Sequence, residues 1–148
     1  MNTRLDYFAA APTSMATLIE QEENLAKQFS ADKVLLELVK LRVSQINQCA
    51  FCVDLHVKEL LKLETSFEKI TGLSVWNGMP CYTELEREAL HWAELTTIGK
   101  VVLDADYERA LRTFGEEKLV NLTVAINAIN SWNRIAKSFK PQVGSLKI

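Results

Sequence analysis

Helix-breaking residues are scarce in this chain. Five glycines and three prolines occur in 148 residues, less than half the usual combined frequency of about 12%. Between these breaks apolar residues recur with a period near 3.6, the signature of amphipathic helices. Met15, Leu18, Ile19, Leu25 and Ala26 mark a first helix. Val34, Leu35, Leu38, Val39, Leu41 and Ile46 mark a second, with Ser30 as its candidate N-cap. A third begins around Cys49 and runs through Leu55 and Leu60 to Leu63, and a short one covers Phe67 to Thr71. Thr83 and Glu86 have the spacing of a capping box and open a helix that reaches Ile98. Asp104 or Asp106 caps another that ends before Gly115, and a long last helix runs from Glu116 to about Lys140. Gly99 and Gly115 stand where C-terminal caps belong. The most strand-like tract, Lys100 to Leu103, is too short to support a sheet. The expectation is one all-α domain over residues 1–148, a bundle of six to seven helices.

Composition narrows the function. Hydrophobic residues make up 48% and charged residues 24%, with a net charge of -2. These are globular values and argue against long disorder. A sequence pI near 5.7 argues against nucleic acid as a partner, since such proteins normally present a basic face. No apolar run has the roughly 18 residues of a membrane span, and the first residues do not read as a secretory signal. A cytoplasmic, reducing location is therefore expected, where cysteines serve redox or metal chemistry more often than structural disulfides.

Cys49 and Cys52 form a C-x-x-C pair, followed by His56. On one continuous helix these three residues would share an arc of about 60°, with Leu60 and Leu63 on the same face. Asn47 is a candidate N-cap for that helix. The positive end of the helix dipole would favour thiolate at the cysteine nearer the N-terminus. His56, one turn beyond Cys52, instead favours Cys52, because histidine exchanges protons near neutral pH. Either way the pattern outlines a dithiol centre in which one cysteine attacks an oxidant or disulfide and the other resolves the intermediate. Glu37 lies twelve residues before Cys49 among Leu35, Leu36, Leu38 and Val39. It is read as the partly buried end of a proton relay, its pKa raised by burial; the plainer alternative is an edge carboxylate paired to Lys40 or Arg42.

Glu37, Cys49, Cys52 and His56 together resemble the core motif of the AhpD-like (alkylhydroperoxidase D-like) proteins of the carboxymuconolactone decarboxylase superfamily: a Glu, eleven residues, then C-x-x-C-x-x-x-H. The stretch Glu86 to Thr96 resembles that family's following helix, and Asn130, Asn133 and Arg134 its N-x-x-N-R near the end. The resemblance runs from about Pro12 to Ile135. It implies an all-helical subunit assembled as a homo-oligomer, trimer or hexamer. It also implies alkyl hydroperoxide (peroxiredoxin-type) or disulfide reduction, with Cys52 as the peroxide-reactive thiol, Cys49 as the resolving thiol, and His56 and Glu37 as a proton relay through water. Some members place a histidine between the two cysteines; here that position is Phe51.

Competing readings exist for each feature. Zinc bound by Cys49, Cys52 and His56 would need Cys81 or His91 as a fourth ligand, and structural zinc pairs usually repeat the C-x-x-C on turns. Cys81 reads as a lone thiol and His91 as an ordinary helix residue beside Trp92. Trp76, Trp92 and Trp132 read as core or interface anchors. Asn130, Asn133 and Arg134 read as satisfying helix ends or a subunit contact, and Lys58, Glu59, Lys62 and Glu64 as a solvated face. There is no G-x-G-x-x-G and no P-loop. No cofactor or metal is expected, so electrons must come from an external thiol or a partner protein. Two other classes compete: a carboxymuconolactone decarboxylase-like lyase, against which the dithiol argues, and a non-enzymatic redox sensor whose oligomer responds to oxidation.

Overall fold

In the computed structural model, which describes residues 3–146, α3 (Lys33–Ile46) is the helix around which the others are arranged. Its buried residues lie on nearly every side: Leu35, Leu36, Leu38, Val39, Lys40, Leu41, Val43 and Ser44. A helix apolar almost all round belongs in the interior. Leu35, Leu36, Val39 and Val43 join Leu25, Trp92, Leu122 and Ile126 in one core, which gathers α2 (Pro12–Gln28), α6 (Glu84–Ile98) and α7 (Asp104–Phe139). Leu38 and Leu41 join Leu60, Leu73 and Leu90 in a second, beneath α4 (Ala50–Lys62). Each leucine of this kind contributes about 1.5–3 kcal/mol when fully buried. The remaining stripe of α3, which carries Glu37, is left for the site.

The all-α expectation holds: seven α-helices and one 3-10 helix, with no strand, occur among the described residues. The capping box at Thr83 and Glu86 is formed in both directions, and Gly99 closes α6 in the left-handed conformation. Several local expectations need correction. α1 (Tyr7–Ala10) was not anticipated; Asp6 caps it by accepting from the Ala9 N–H. The connection after α5 (Phe67–Thr71) contains the 3-10 helix Leu73–Gly78. Ser30 does not cap α3: Asp32 holds that position, and its carboxylate accepts from Lys118 Nζ instead. Leu103, not an aspartate, is the N-cap of α7, with Asp104 and Asp106 in the first turn, where acidic side chains suit the dipole.

The break expected at Gly115 is real and sharp. The backbone there has φ 73° and ψ 170°, between helical stretches 104–114 and 116–139. This region is almost confined to glycine. A Cβ at Gly115 would meet no atom within 4 Å, so substitution is penalised by backbone conformation alone. Gly115→Ala should therefore cost about 1–3 kcal/mol, lowering the thermal midpoint by roughly 3–10 °C. An unchanged midpoint in a thermal melt would show that alanine adopts this bend freely.

Candidate active site

The site is built at the junction of α3 and α4. Asn47 ends α3, and Gln48 follows with φ 55°, the left-handed turn that many helices need to stop. The Cys49 N–H then donates to the Ser44 carbonyl at 3.0 Å. Cys49 is extended and occupies the N-cap of α4. Cys52 is consequently in the first turn, one turn before His56 on the same helix face, with Cys49 just ahead of the helix. Asn47 does not cap α4. Its Nδ2 donates to Asn130 Oδ1 at 2.8 Å and Asn133 Oδ1 at 2.9 Å, both on α7. Asn133 Nδ2 donates to Ser44 Oγ at 3.0 Å. The asparagines near the chain's end thus hold the turn that presents the dithiol, a role more specific than satisfying helix ends.

Cys49 and Cys52 are joined by a disulfide, with Cα atoms 5.3 Å apart. Both are buried, at 2% and 3% exposure, and pack against Ala136 and Phe51. A cavity of about 670 Å³ opens beside them. Cys52 lies on its wall, together with His56, Glu37, Phe51 and Trp132; Cys49 is not among the lining residues. Cys52, in the first turn, also feels the positive end of the α4 dipole, which stabilises thiolate. The cavity has a largely apolar lining closed by both ends of the described chain, Leu5 to Phe8 on one side and Pro141 and Leu146 on the other. Sequence reasoning missed this roof. A bond between the two sides, the Arg4 N–H donating to the Phe139 carbonyl at 2.9 Å, joins positions far apart in the chain and leaves no local pattern.

His56 is 6% exposed, and its Nδ1 meets Glu37 Oε2 at 2.7 Å. Glu37 is not an edge carboxylate. Burial is the largest influence on it and pushes its pKa up, as the sequence suggested. The hydrogen bond and charge of His56, followed by Lys40, together outweigh burial and leave it below the usual range. An ionised Glu37 only accepts, so His56 Nδ1 carries the shared proton and Nε2 keeps a free lone pair in the neutral ring. Lys40 Nζ lies 3.6 Å from Glu37 Oε1 and 2.7 Å from Glu22 Oε2. Trp132 Nε1 donates to Glu22 Oε1 at 3.2 Å. Arg42 turns away, to Glu94. Lys40, three residues beyond Glu37 on the same helix, is one of the two partners the sequence offered for it; Glu22, on a different helix, left no such signal.

Cys49, Cys52, His56 and Glu37 therefore converge. Cys81 and His91 do not join them. Cys81 is a free thiol beside the second core, and His91 Nε2 lies 3.1 Å from Asp106 Oδ1. Among the described residues no group of three or more His, Cys, Asp or Glu side chains is arranged to hold a metal. The indole N–H groups of Trp76 and Trp92 donate to Glu94 and Thr123, consistent with anchoring roles. No helix among the described residues is long and apolar enough to cross a membrane.

Comparison with known proteins places this geometry. The sequence pattern of the carboxymuconolactone decarboxylase family matches residues 12–95. The uncharacterized protein YdfG of Bacillus subtilis (strain 168) is 38% identical over 138 residues, 92% of this chain and 93% of that protein. The uncharacterized protein YnjA of Escherichia coli (strain K12) is 30% identical over 70% of this chain and 58% of its own length. A crystal structure from Agrobacterium tumefaciens superposes with a TM-score of 0.90 at 38% identity, covering 98% of this chain and 100% of that one. It is a protein of unknown function whose name links it to the antioxidant defence protein AhpD. An uncharacterized peroxidase-related protein from Silicibacter sp. TM1040 shares the fold at a TM-score of 0.77 and 18% identity, over 88% of this chain and 70% of its own. With the dithiol junction, the Glu–His pair and these matches in agreement, the chain belongs to the carboxymuconolactone decarboxylase family.

Proposed function

We propose that this protein is a thiol-dependent oxidoreductase of the AhpD-like kind, reducing an organic hydroperoxide at Cys52 and regenerated by an external thiol. The observation that carries this reading is the placement of Cys52: on the cavity wall, bonded to Cys49 behind it, one turn from an imidazole held by a carboxylate.

His56 Nε2 takes the Cys52 proton, directly or through water, and the imidazolium so formed is stabilised by Glu37. The Cys52 thiolate attacks the terminal peroxide oxygen and the O–O bond breaks. The departing alkoxide takes the proton from His56 and leaves as an alcohol, and Cys52 becomes a sulfenic acid. The Cys49 thiol then attacks Cys52 Sγ, forming the disulfide and releasing water. Two equivalents of an external thiol, or one dithiol, restore the reduced pair by exchange. A cavity of about 670 Å³ falls within the usual range for small-molecule sites, about 300–1,000 Å³, and its apolar lining suits an alkyl or aryl hydroperoxide better than hydrogen peroxide. The trimer or hexamer implied by the family is part of the same proposal. A decarboxylating lyase would have no evident use for a dithiol on the cavity wall.

One experiment tests this reading directly. Reduced protein is treated with one equivalent of cumene hydroperoxide, and free thiols and intact mass are recorded. The expected result is loss of two thiols and two hydrogens, mapped to Cys49 and Cys52 and reversed by dithiothreitol. Thiols that stay reduced in excess organic peroxide would overturn it.

A further inference from the structure

Beyond the four motif residues, a row of charges runs through the protein behind His56. Glu37 bridges His56 and Lys40; Lys40 bridges Glu37 and Glu22; Glu22 is held in turn by the Trp132 indole. The row spans α4, α3, α2 and α7 and borders the cavity throughout. Lys40 is its unusual member, a lysine only 7% exposed. Lysine is seldom buried to this degree without a reason, because desolvating its charge is costly. Its partners are two carboxylates, and the nearer is the one that does not touch His56.

We propose that Lys40 is a positioning residue of the redox site: it keeps Glu37 a pure hydrogen-bond acceptor, so that His56 retains a free Nε2 toward the dithiol, and Glu22 sets how strongly Lys40 does so. This rests on the dithiol reading above, but concerns the base rather than the oxidant. Without Lys40, Glu37 and Glu22 would share one buried region with no ammonium between them. Such carboxylates hold protons more tightly. A protonated Glu37 can donate to His56 Nδ1, leaving the proton of the neutral ring on Nε2, where it blocks uptake from a thiol. Glu22 acts in the opposite sense. Its carboxylate screens the ammonium, so neutralising Glu22 exposes Glu37 and His56 to more of the positive charge.

Other titratable groups facing this region are few. Asp6, the N-cap of α1, Tyr7 of α1 and Glu59 of α4 line the cavity, and Cys52 is the thiol being activated. No titratable residue of α7 lines it; that wall is Ile129, Trp132 and Ala136. Burial and the neighbouring Asp6 push Tyr7 above its ordinary range, so it stays neutral while the site titrates.

The test is the pH dependence of Cys52 alkylation by iodoacetamide in the fully reduced protein, read by mass spectrometry. This needs no peroxide, so it is independent of whether hydroperoxides are the substrate. In Lys40→Met the acid limb of the rate profile should move up by about one pH unit, and Lys40→Arg should restore it. In Glu22→Gln the same limb should move down. Opposite shifts are the mark of charge; a merely structural disturbance would lower the rate without moving the limb, or move both variants alike. If Lys40→Met fails to fold, Glu22→Gln against the wild type decides, because a limb that stays in place or moves up overturns the proposal. Normal charge-dependent alkylation with no peroxide turnover would leave this inference standing and sink the peroxidase reading instead.

Discussion

Cys52→Ser is expected to abolish hydroperoxide turnover, a loss on the order of a thousand-fold or more, as for removal of other catalytic nucleophiles. Cys49→Ser is expected to fail differently. Cys52 remains on the cavity wall and in the first turn of α4, so it can still attack one peroxide per chain. With no resolving thiol and no external thiol present, the reaction stops at the sulfenic acid, which dimedone traps as a stable adduct. The two variants thus differ in the first cycle, which Cys49→Ser carries to the sulfenic acid and Cys52→Ser does not begin. The asymmetry follows from geometry. Cys49 is the extended N-cap residue and does not line the cavity, whereas Cys52 stands one helical turn from His56. A rapid-mix measurement of peroxide consumed per chain separates the cases. If Cys49→Ser is inert in the first cycle while Cys52→Ser consumes one equivalent, the roles are reversed. If both variants turn over freely, the dithiol is not the reaction centre.

Most of the longer helices were legible in the sequence because they rely on local signals: an apolar stripe, a capping box, a glycine at the exit. Thr83 with Glu86, Gly99 and Gly115 are such cases, and the structure uses all of them. The motif residues were legible as a group for a related reason. Three of them stand within eight positions of each other, and the fourth lies one helix earlier. What local signals did not convey was how the chain turns between α3 and α4. An asparagine two positions before a cysteine reads as a cap, but Asn47 finds better partners in Asn130 and Asn133, more than eighty residues away. With Asn47 engaged there, Cys49 takes the N-cap position and α4 starts at Ala50. The direction of the Glu37 shift was misjudged similarly. Its apolar neighbours in sequence argue for a raised pKa, while His56 and Lys40, brought close by folding and by the helical repeat, reverse it. The cavity roof brings together the two ends of the described chain, which no pattern within either end records.

The same long-range pairing makes Asn133 the position where a polar substitution should cost most. Its side chain is fully buried, accepting from Asn47 Nδ2 and donating to Ser44 Oγ. Asn133→Ala removes both bonds and leaves an amide-sized void beside α3. Ser44 Oγ still donates to the Lys40 carbonyl and Asn47 still reaches Asn130, so neither partner is wholly orphaned. These remaining bonds limit the expected cost to about 2–3 kcal/mol, the upper part of the range for a buried hydrogen-bonded side chain, with a thermal midpoint lowered by roughly 4–12 °C. Asn121→Ala, on the exposed side of the same helix, should stay within about 0.5 kcal/mol. A second consequence separates this position from an ordinary core residue. Because Asn133 steadies the turn through Ser44 and Asn47, the Cys49 backbone loses its guide, and Cys49 should close on Cys52 more slowly after the first oxidation. Thermal unfolding and the rate of disulfide formation, measured on one preparation below its midpoint, test both. A midpoint within about 1 °C of the wild type would show that the asparagine cluster carries little stability. A lowered midpoint with an unchanged closure rate would confine Asn133 to packing and leave the turn to be held by the backbone bond from Cys49 to Ser44.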